Sequence, residues 1–427
     1  MKAENFISYV EPNQRVNIYL GTVIAIFVYY FDFVSGSLKE PQLKYFFSFI
    51  PTLLIILFSV YFVLIKKPRK AHFNVFVSDP INILCLASFI FGILWNLIYR
   101  ADIPAVLQTG VFWGSILSYK LFTEKFPVSR YTFFWVLLLL IIPYTLTSND
   151  PEAFKALLPH AENQWRAFLI SVHFSSVLGS LILVFGIYGI SKKESLIINF
   201  SMVAAGLYLV IFAKSRTSLL ATLISLLLGM LFTRKRQVAL FLATLLSVVS
   251  IYFIVPLIQD NPNLISGVAN TSFARSFIKL EATEAAYGIS SGRQWLWAYH
   301  LNLFKKNILT GASRQLTAFE VGDKIEGGRA LAGSESFLTY VLARYGIWGI
   351  SYHIFFLLLL WKSIRSNNKE FYLLMVYSIS SCVGISLLGN TYGAHNVVIY
   401  LYIFTLLNTS TYRGEGRGSM EILKYTH

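Results

Sequence analysis

Ser291-Gly292-Arg293-Gln294-Trp295-Leu296-Trp297 lies inside a polar segment, Asp260 to Gly333, and long apolar runs flank that segment on both sides. The contrast decides the fold class. Of the 427 residues 56% are hydrophobic and only 13% are charged, whereas soluble domains carry about 25% charged residues. A membrane span needs roughly 20 mostly apolar residues. Runs of that kind fall near 17–35, 45–65, 81–99, 104–121, 131–147, 167–190, 195–213, 217–233, 237–258, 336–361, 371–389 and 395–411. The expected fold is therefore an all-α polytopic membrane protein with about 12 transmembrane helices and one long, partly helical loop. Three parts follow: 1–258 with the first nine spans, 259–335 as the large loop, and 336–427 with the last three spans and a tail.

Basic residues in short connections orient such a chain, because they stay on the cytoplasmic side. Lys66-Lys67-Pro68-Arg69-Lys70 follows the second span, Lys125 and Arg130 the fourth, Lys192-Lys193 the sixth and Arg234-Lys235-Arg236 the eighth. Lys362, Arg365 and Lys369 follow the tenth, and Arg413 and Arg417 the last. Every cluster comes after an even-numbered span, so both termini are expected in the cytoplasm and the 259–335 loop on the opposite face. The formal charge of +15 then reflects topology and is no nucleic-acid footprint. Cys85 and Cys382 lie inside apolar runs, where a small buried side chain is the plain reading. Met1 to Arg15 mixes charges ahead of a full-length span, unlike a cleavable leader. The first span is expected to remain as an anchor.

Charges that run against this bias are the candidates for chemistry. Trp297, Leu301, Phe304 and Ile308 recur at helical spacing, so 294–308 is expected to be an amphipathic helix packed on that face. Arg293 opens it on the face of Trp297. A cation at a helix N-terminus opposes the dipole unless an anion such as phosphate sits beside it. The competing reading pairs Arg293 with Glu281 or Glu284. Ser215 can cap the eighth span and leave Arg216 at its positive end, where snorkelling to headgroups is the plainer alternative. Ser334 can cap the tenth span. An acid next to it, Glu335, is favoured by the dipole alone, yet its place at the membrane mouth also suits a general base. His395 opens the last span after Asn390 and Tyr392, two residues suited to sugar hydroxyls. Arg275, Arg314 and Arg329 are further loop cations, and Arg344 sits at a depth where an arginine needs a partner or a polar cavity. The outer loops hold no Asp-x-Asp pair and no histidine cluster with ligand spacing. No Gly-rich phosphate loop appears either, so no metal and no cofactor is expected.

In chain order, Ser215-Arg216-Thr217-Ser218, Ser291-Gly292-Arg293 with Trp297, Leu309-Thr310-Gly311, Glu335-Ser336-Phe337-Leu338 and Tyr345-Gly346-Ile347-Trp348-Gly349 resemble the bacterial O-antigen polymerase and O-antigen ligase family of membrane glycosyltransferases. The resemblance covers about the second half of the chain. It implies an inner-membrane protein whose active site faces the periplasm between the membrane and the long loop. It implies undecaprenyl-pyrophosphate-linked glycans as donors, with neither metal nor nucleotide. Arg216 and Arg293 would grip the pyrophosphate and stabilise the charge on the leaving group. Ligases commonly show His-Asn where this chain has Glu335-Ser336. That departure favours a polymerase, with Glu335 the candidate base and His395 the reserve.

The reading from sequence is thus a polymerase of lipid-linked repeat units. Its substrate-binding residues are Arg275, Arg314, Arg329, Arg344, Trp297, Asn390 and Tyr392, and its partners are membrane lipid and a chain-length regulator protein. A ligase acting on lipid A-core or protein is the runner-up. A flippase of lipid-linked sugars, which would show paired halves and midplane-broken helices, is the alternative of another class.

Overall fold

Asp79-Pro80 shows how this sequence starts a helix. The Asp79 Oδ1 accepts from the backbone N–H of Ile81 at 2.9 Å, and proline at the first helical position loses no hydrogen bond. The computed structural model describes residues 12–36, 50, 52–61, 78–100, 103–147, 172–212, 216–230, 293–312, 337–366, 368–382 and 394–414. Along them run α1 (Pro12–Gly36), α2 (Thr52–Tyr61), α3 (Pro80–Arg100), α4 (Ile103–Lys125), α5 (Thr132–Thr147), α6 (Val172–Ser191) and α7 (Leu196–Phe212). They are followed by α8 (Arg216–Met230), α9 (Arg293–Lys306), α10 (Phe337–Tyr345), a 3₁₀ turn at Gly346–Trp348, α11 (Gly349–Arg365), α12 (Lys369–Cys382) and α13 (Ala394–Gly414). The described residues hold helices and turns and no strand, as expected of an all-α chain. Eleven of the twelve expected spans fall on described helices; 237–258 lies outside the described residues, as do the clusters Lys66–Lys70 and Arg234–Arg236.

Two helical segments, Pro80–Ile98 and Phe337–Arg365, are long and apolar enough to cross a membrane, among the described residues. The distribution of polarity points the same way. Ile83, Ile90, Phe91, Leu97 and Ile98 on α3 and Ile197 on α7 are exposed, while Lys120, Arg130 and Glu370 are buried. An apolar periphery around a partly polar interior is the reverse of a soluble domain. Helices α6, α12 and α13 are buried along most of their described lengths and form the centre. Around Tyr352, the rings of Phe112, Trp113 and Phe337 lie 4.6, 4.9 and 5.9 Å away, distances at which aromatic pairs attract.

Small residues let the α6–α7 hairpin close. A Cβ on Gly206 would stand 2.6 Å from the Leu183 nitrogen, and one on Gly179 would stand 2.5 Å from Leu209 Cβ. Such close backbone approach is how apolar helices associate where no hydrophobic force separates lipid from protein.

Ion pairs gather one end of the bundle. Asp79, at the start of α3, meets Lys120 near the end of α4 at 2.5 Å and Lys362 near the end of α11 at 2.8 Å. Arg130, between α4 and α5, pairs with Glu194 of the α6–α7 turn and, at 3.5 Å, with Glu370 at the start of α12. Tyr402 of α13 donates to Glu370, and Ser129 N–H donates to Thr22 of α1 at 3.1 Å. Burial alone would raise the Asp79 carboxyl, but Lys120 and Lys362 outweigh it and hold the group below its ordinary value. Helices leaving this basic end therefore finish or begin again at the other one. There lie the end of α3, the starts of α4, α8 and α10, and the start of α13.

Candidate functional site

At the second end lie the helix starts that carry three of the expected site residues, Arg216, Arg293 and His395. Arg216 is the first residue of α8, four residues after α7 ends, and α8 packs on α6 and α12. Arg293 is the first residue of α9. Helix α9 lies along α10: His300 Nδ1 is 3.0 Å from Thr339 Oγ1, and further along Ala312 N–H donates to Ala343 O at 2.7 Å. Successive contacts at 300 with 339 and 308–312 with 343–347 mean that the two helices run in the same direction. Their N-termini, and the positive ends of both dipoles, face the same way. Glu335 stands two residues before α10, and His395 is the second residue of α13, whose start is at this same end.

The structure fixes the backbone of Arg216, Arg293 and His395 within helices, while their side chains lie outside the described residues. Arg275, Arg314, Arg329, Glu335, Asn390 and Tyr392 also lie outside them, as do Glu281 and Glu284. Arg344 has partners, as a deep arginine should. Its Nη1 donates to Tyr340 Oη at 2.5 Å, and its guanidinium lies over the rings of Tyr340 and Tyr345 at 5.7 and 5.8 Å. Trp297 is partly buried, with its indole Nε1 enclosed and without a hydrogen-bond partner.

The helix expected at 294–308 is present at Arg293–Lys306, but it docks on another face. Leu301 and Ile308 are exposed, while His300 is fully buried and Tyr299 and Leu303 pack with Tyr340 against Ala312 and Ala343. The reason is the partner: α10 offers a hydroxyl at Thr339 and a small surface at Ala343, so an imidazole and close backbone contacts fit better than the larger apolar side chains. His300 is the residue that sequence reasoning missed. Burial drives its imidazole down to about 4, so it is neutral at neutral pH.

Two glycines build the joint beneath this helix pair. Gly311 and Gly346 have φ of +66° and +61°, the left-handed region that glycine enters without penalty. A Cβ on Gly311 would stand 2.4 Å from Arg344 O, and one on Gly346 would stand 2.5 Å from Ile308 O. Ile347 N–H donates to Ile308 O at 2.6 Å, and Trp95 Nε1 of α3 donates to Leu309 O at 3.2 Å. Leu309-Thr310-Gly311 and Tyr345-Gly346 are thus two halves of one contact, which ties the loop helix to the bundle.

These features define a helical, membrane-type bundle with two arginine-headed helix starts and an inserted loop helix at one end. Residues 200–354 match the family described as O-antigen ligase. The match runs from α7 to the first turns of α11, and it takes in Arg216, Arg293, Trp297, Glu335 and Arg344. The match covers this segment alone, and it supports a likeness to the O-antigen ligase and polymerase family. That family consists of inner-membrane, glycosyltransferase-like enzymes whose substrates are lipid-linked glycans. No curated protein matches the chain.

Proposed function

We propose that the chain polymerises surface polysaccharide, joining undecaprenyl-pyrophosphate-linked repeat units at the periplasmic face of the inner membrane. The observation that supports this reading is the parallel docking of α9 on α10, which brings the arginine-headed start of α9 and the start of α10, two residues after Glu335 in sequence, to one end of the bundle. Helix N-termini and guanidinium groups together suit a diphosphate. A hydroxyl of one lipid-linked repeat unit attacks the anomeric carbon of the glycan on a second carrier, and Glu335 takes the hydroxyl proton. The bond from that carbon to the diphosphate oxygen breaks, and undecaprenyl pyrophosphate leaves with the electron pair. Arg216 and Arg293 stabilise the charge it gathers, the place where electrostatic catalysis contributes most. Arg275, Arg314, Arg329, Arg344 and Trp297 would line the donor, Asn390 and Tyr392 the sugar hydroxyls, with His395 the reserve base. A chain-length regulator, the other candidate partner, has support from neither the fold nor the family match.

The family's description favours a second reading, transfer of finished glycan to lipid A-core or protein by a ligase. Polysaccharide gels separate the two. A strain lacking the protein shows core plus one repeat unit if the protein is a polymerase; a ligase leaves bare core and long chains on the carrier. Complementation with Arg216→Ala or Arg293→Ala should lower the amount of long glycan 100-fold or more, on the order of one oxyanion donor's contribution. Glu335→Gln should do the same; a wild-type ladder from it would pass the base role to His395. Repeat units trapped on the inner leaflet in the Arg293→Ala strain would point to a flippase instead.

A further inference from the structure

We infer that His300 is a positioning residue: paired with Thr339, it fixes the rotation of α9 on α10 and so sets where Arg293 stands. The inference rests on the polymerase reading and adds to it a residue that touches neither substrate nor leaving group.

Three observations carry it. First, His300 is fully buried and reaches across the joint to Thr339 at 3.0 Å, while its Nε2 has no hydrogen-bond partner. With Nδ1–H donating to Thr339 Oγ1, the atom left over is a lone pair, which is easier to leave unpaired than an N–H. Even so, a phenylalanine or leucine in this small apolar joint of Ala312, Ala343 and Leu303 would fold without an unsatisfied atom. A choice that gives up stability for a directional contact is what a functional position shows.

Second, the geometry of a helix converts this contact into control of Arg293. Seven residues separate Arg293 from His300, two turns or about 10.5 Å, with both on the same face. Thr339 lies in the first turn of α10, so one hydrogen bond links that helix to the one that bears Arg293. Third, the His300–Thr339 bond is a directional contact in the upper half of the joint. The backbone contacts Ala312–Ala343 and Ile347–Ile308 pin the lower half, about which α9 could rotate. Tyr340 meets the imidazole edge-on at 5.9 Å, which fills space without fixing an angle to the same degree.

A rotation that shifts Arg293 by about 1 Å is enough to cost on the order of 100-fold in rate. The test uses the full-length protein in membranes, supplied with the lipid-linked repeat units that accumulate in a strain lacking it. Thr339→Val keeps the volume and removes the hydroxyl, and His300→Phe keeps the ring and removes the nitrogen. Both should reach wild-type levels in the membrane and lower kcat about 10- to 100-fold, with KM changed less than about threefold. His300→Asn, whose amide can take the place of Nδ1, should recover most of the rate. Wild-type kcat in Thr339→Val, or no gain of His300→Asn over His300→Phe, would overturn the inference. So would losses that only follow the amount of folded protein. A strain lacking the protein whose polysaccharide is unchanged would instead overturn the polymerase reading, and this positioning role with it.

Discussion

His300 and Arg293 sit seven residues apart on one helix, and only one of them could be picked out in advance. Arg293 stands against the dipole of its own helix, a conflict visible in sequence. His300 shows no such conflict: its partner Thr339 is 39 residues away, and a lone histidine carries no spacing signal. The apolar series Trp297, Leu301, Phe304 and Ile308 even directs attention to another face. Once placed, His300 has a consequence that can be measured. Its imidazole is held down to about 4 by burial, whereas an unfolded histidine binds its proton near 6.5. Between these values the unfolded chain holds a proton that the folded chain lacks, so stability falls as pH drops from about 6.5 toward about 4 and is complete above that window. The full effect is on the order of 3 kcal/mol. Thermal unfolding of the detergent-purified protein should therefore show wild type losing more stability between pH 7 and pH 5 than His300→Phe does. Parallel curves for the two proteins would mean that His300 takes up a proton while folded.

At the scale of the helix, apolar length located the elements well and their interruptions poorly. The run 336–361 reads as one span because composition is uniform through it. The chain instead ends α10 at Tyr345, makes a 3₁₀ turn and restarts at Gly349. Hydropathy does not register a positive φ at Gly346; only the contact with Ile308 and Gly311 requires it. The two motifs that meet there were legible as motifs, while their meeting was not, since long-range pairing leaves no periodic trace. Gly346→Ala tests the joint. The new Cβ would need a left-handed backbone and would stand 2.5 Å from Ile308 O, a backbone atom with nowhere to move. The expected loss is about 2–4 kcal/mol, from strain at φ and a forced separation of the two segments. Limited proteolysis should cut the variant near 307–312 at protease levels that leave wild type intact. Equal resistance would show that the 308–347 contact does not hold the loop helix.

The molecule as a whole is ordered by charge. The rule that basic residues follow even-numbered spans was read from spacing alone, and the described members of that set, Lys125, Arg130, Lys192, Lys193, Lys362, Arg365, Lys369 and Arg413, come to the same end of the bundle. They do so because carboxylates wait for them: the partly buried Asp79 for Lys120 and Lys362, and the more exposed Glu194 and the buried Glu370 for Arg130. Arg130 and Lys362 were visible in sequence as topology signals, but their ion pairs were not, because pairing depends on which helices become neighbours. Breaking the buried Arg130–Glu370 pair costs about 3–5 kcal/mol, so a residue that orients the chain also holds its helix ends together. Which end faces the cytoplasm is open to direct measurement. The two native thiols, Cys85 and Cys382, are buried, so a single exposed cysteine can be labelled over a low background. Lys192→Cys marks the basic end and Lys305→Cys the loop helix, both at exposed positions. In intact spheroplasts a membrane-impermeant maleimide should label Lys305→Cys within minutes and Lys192→Cys only after permeabilisation. The opposite pattern would put Arg216, Arg293 and Glu335 on the cytoplasmic side, away from any lipid-linked glycan already flipped outward. A polymerase acting there would have to draw on units still on the inner leaflet, which the gel profile of a flippase-deficient strain would reveal as long chains.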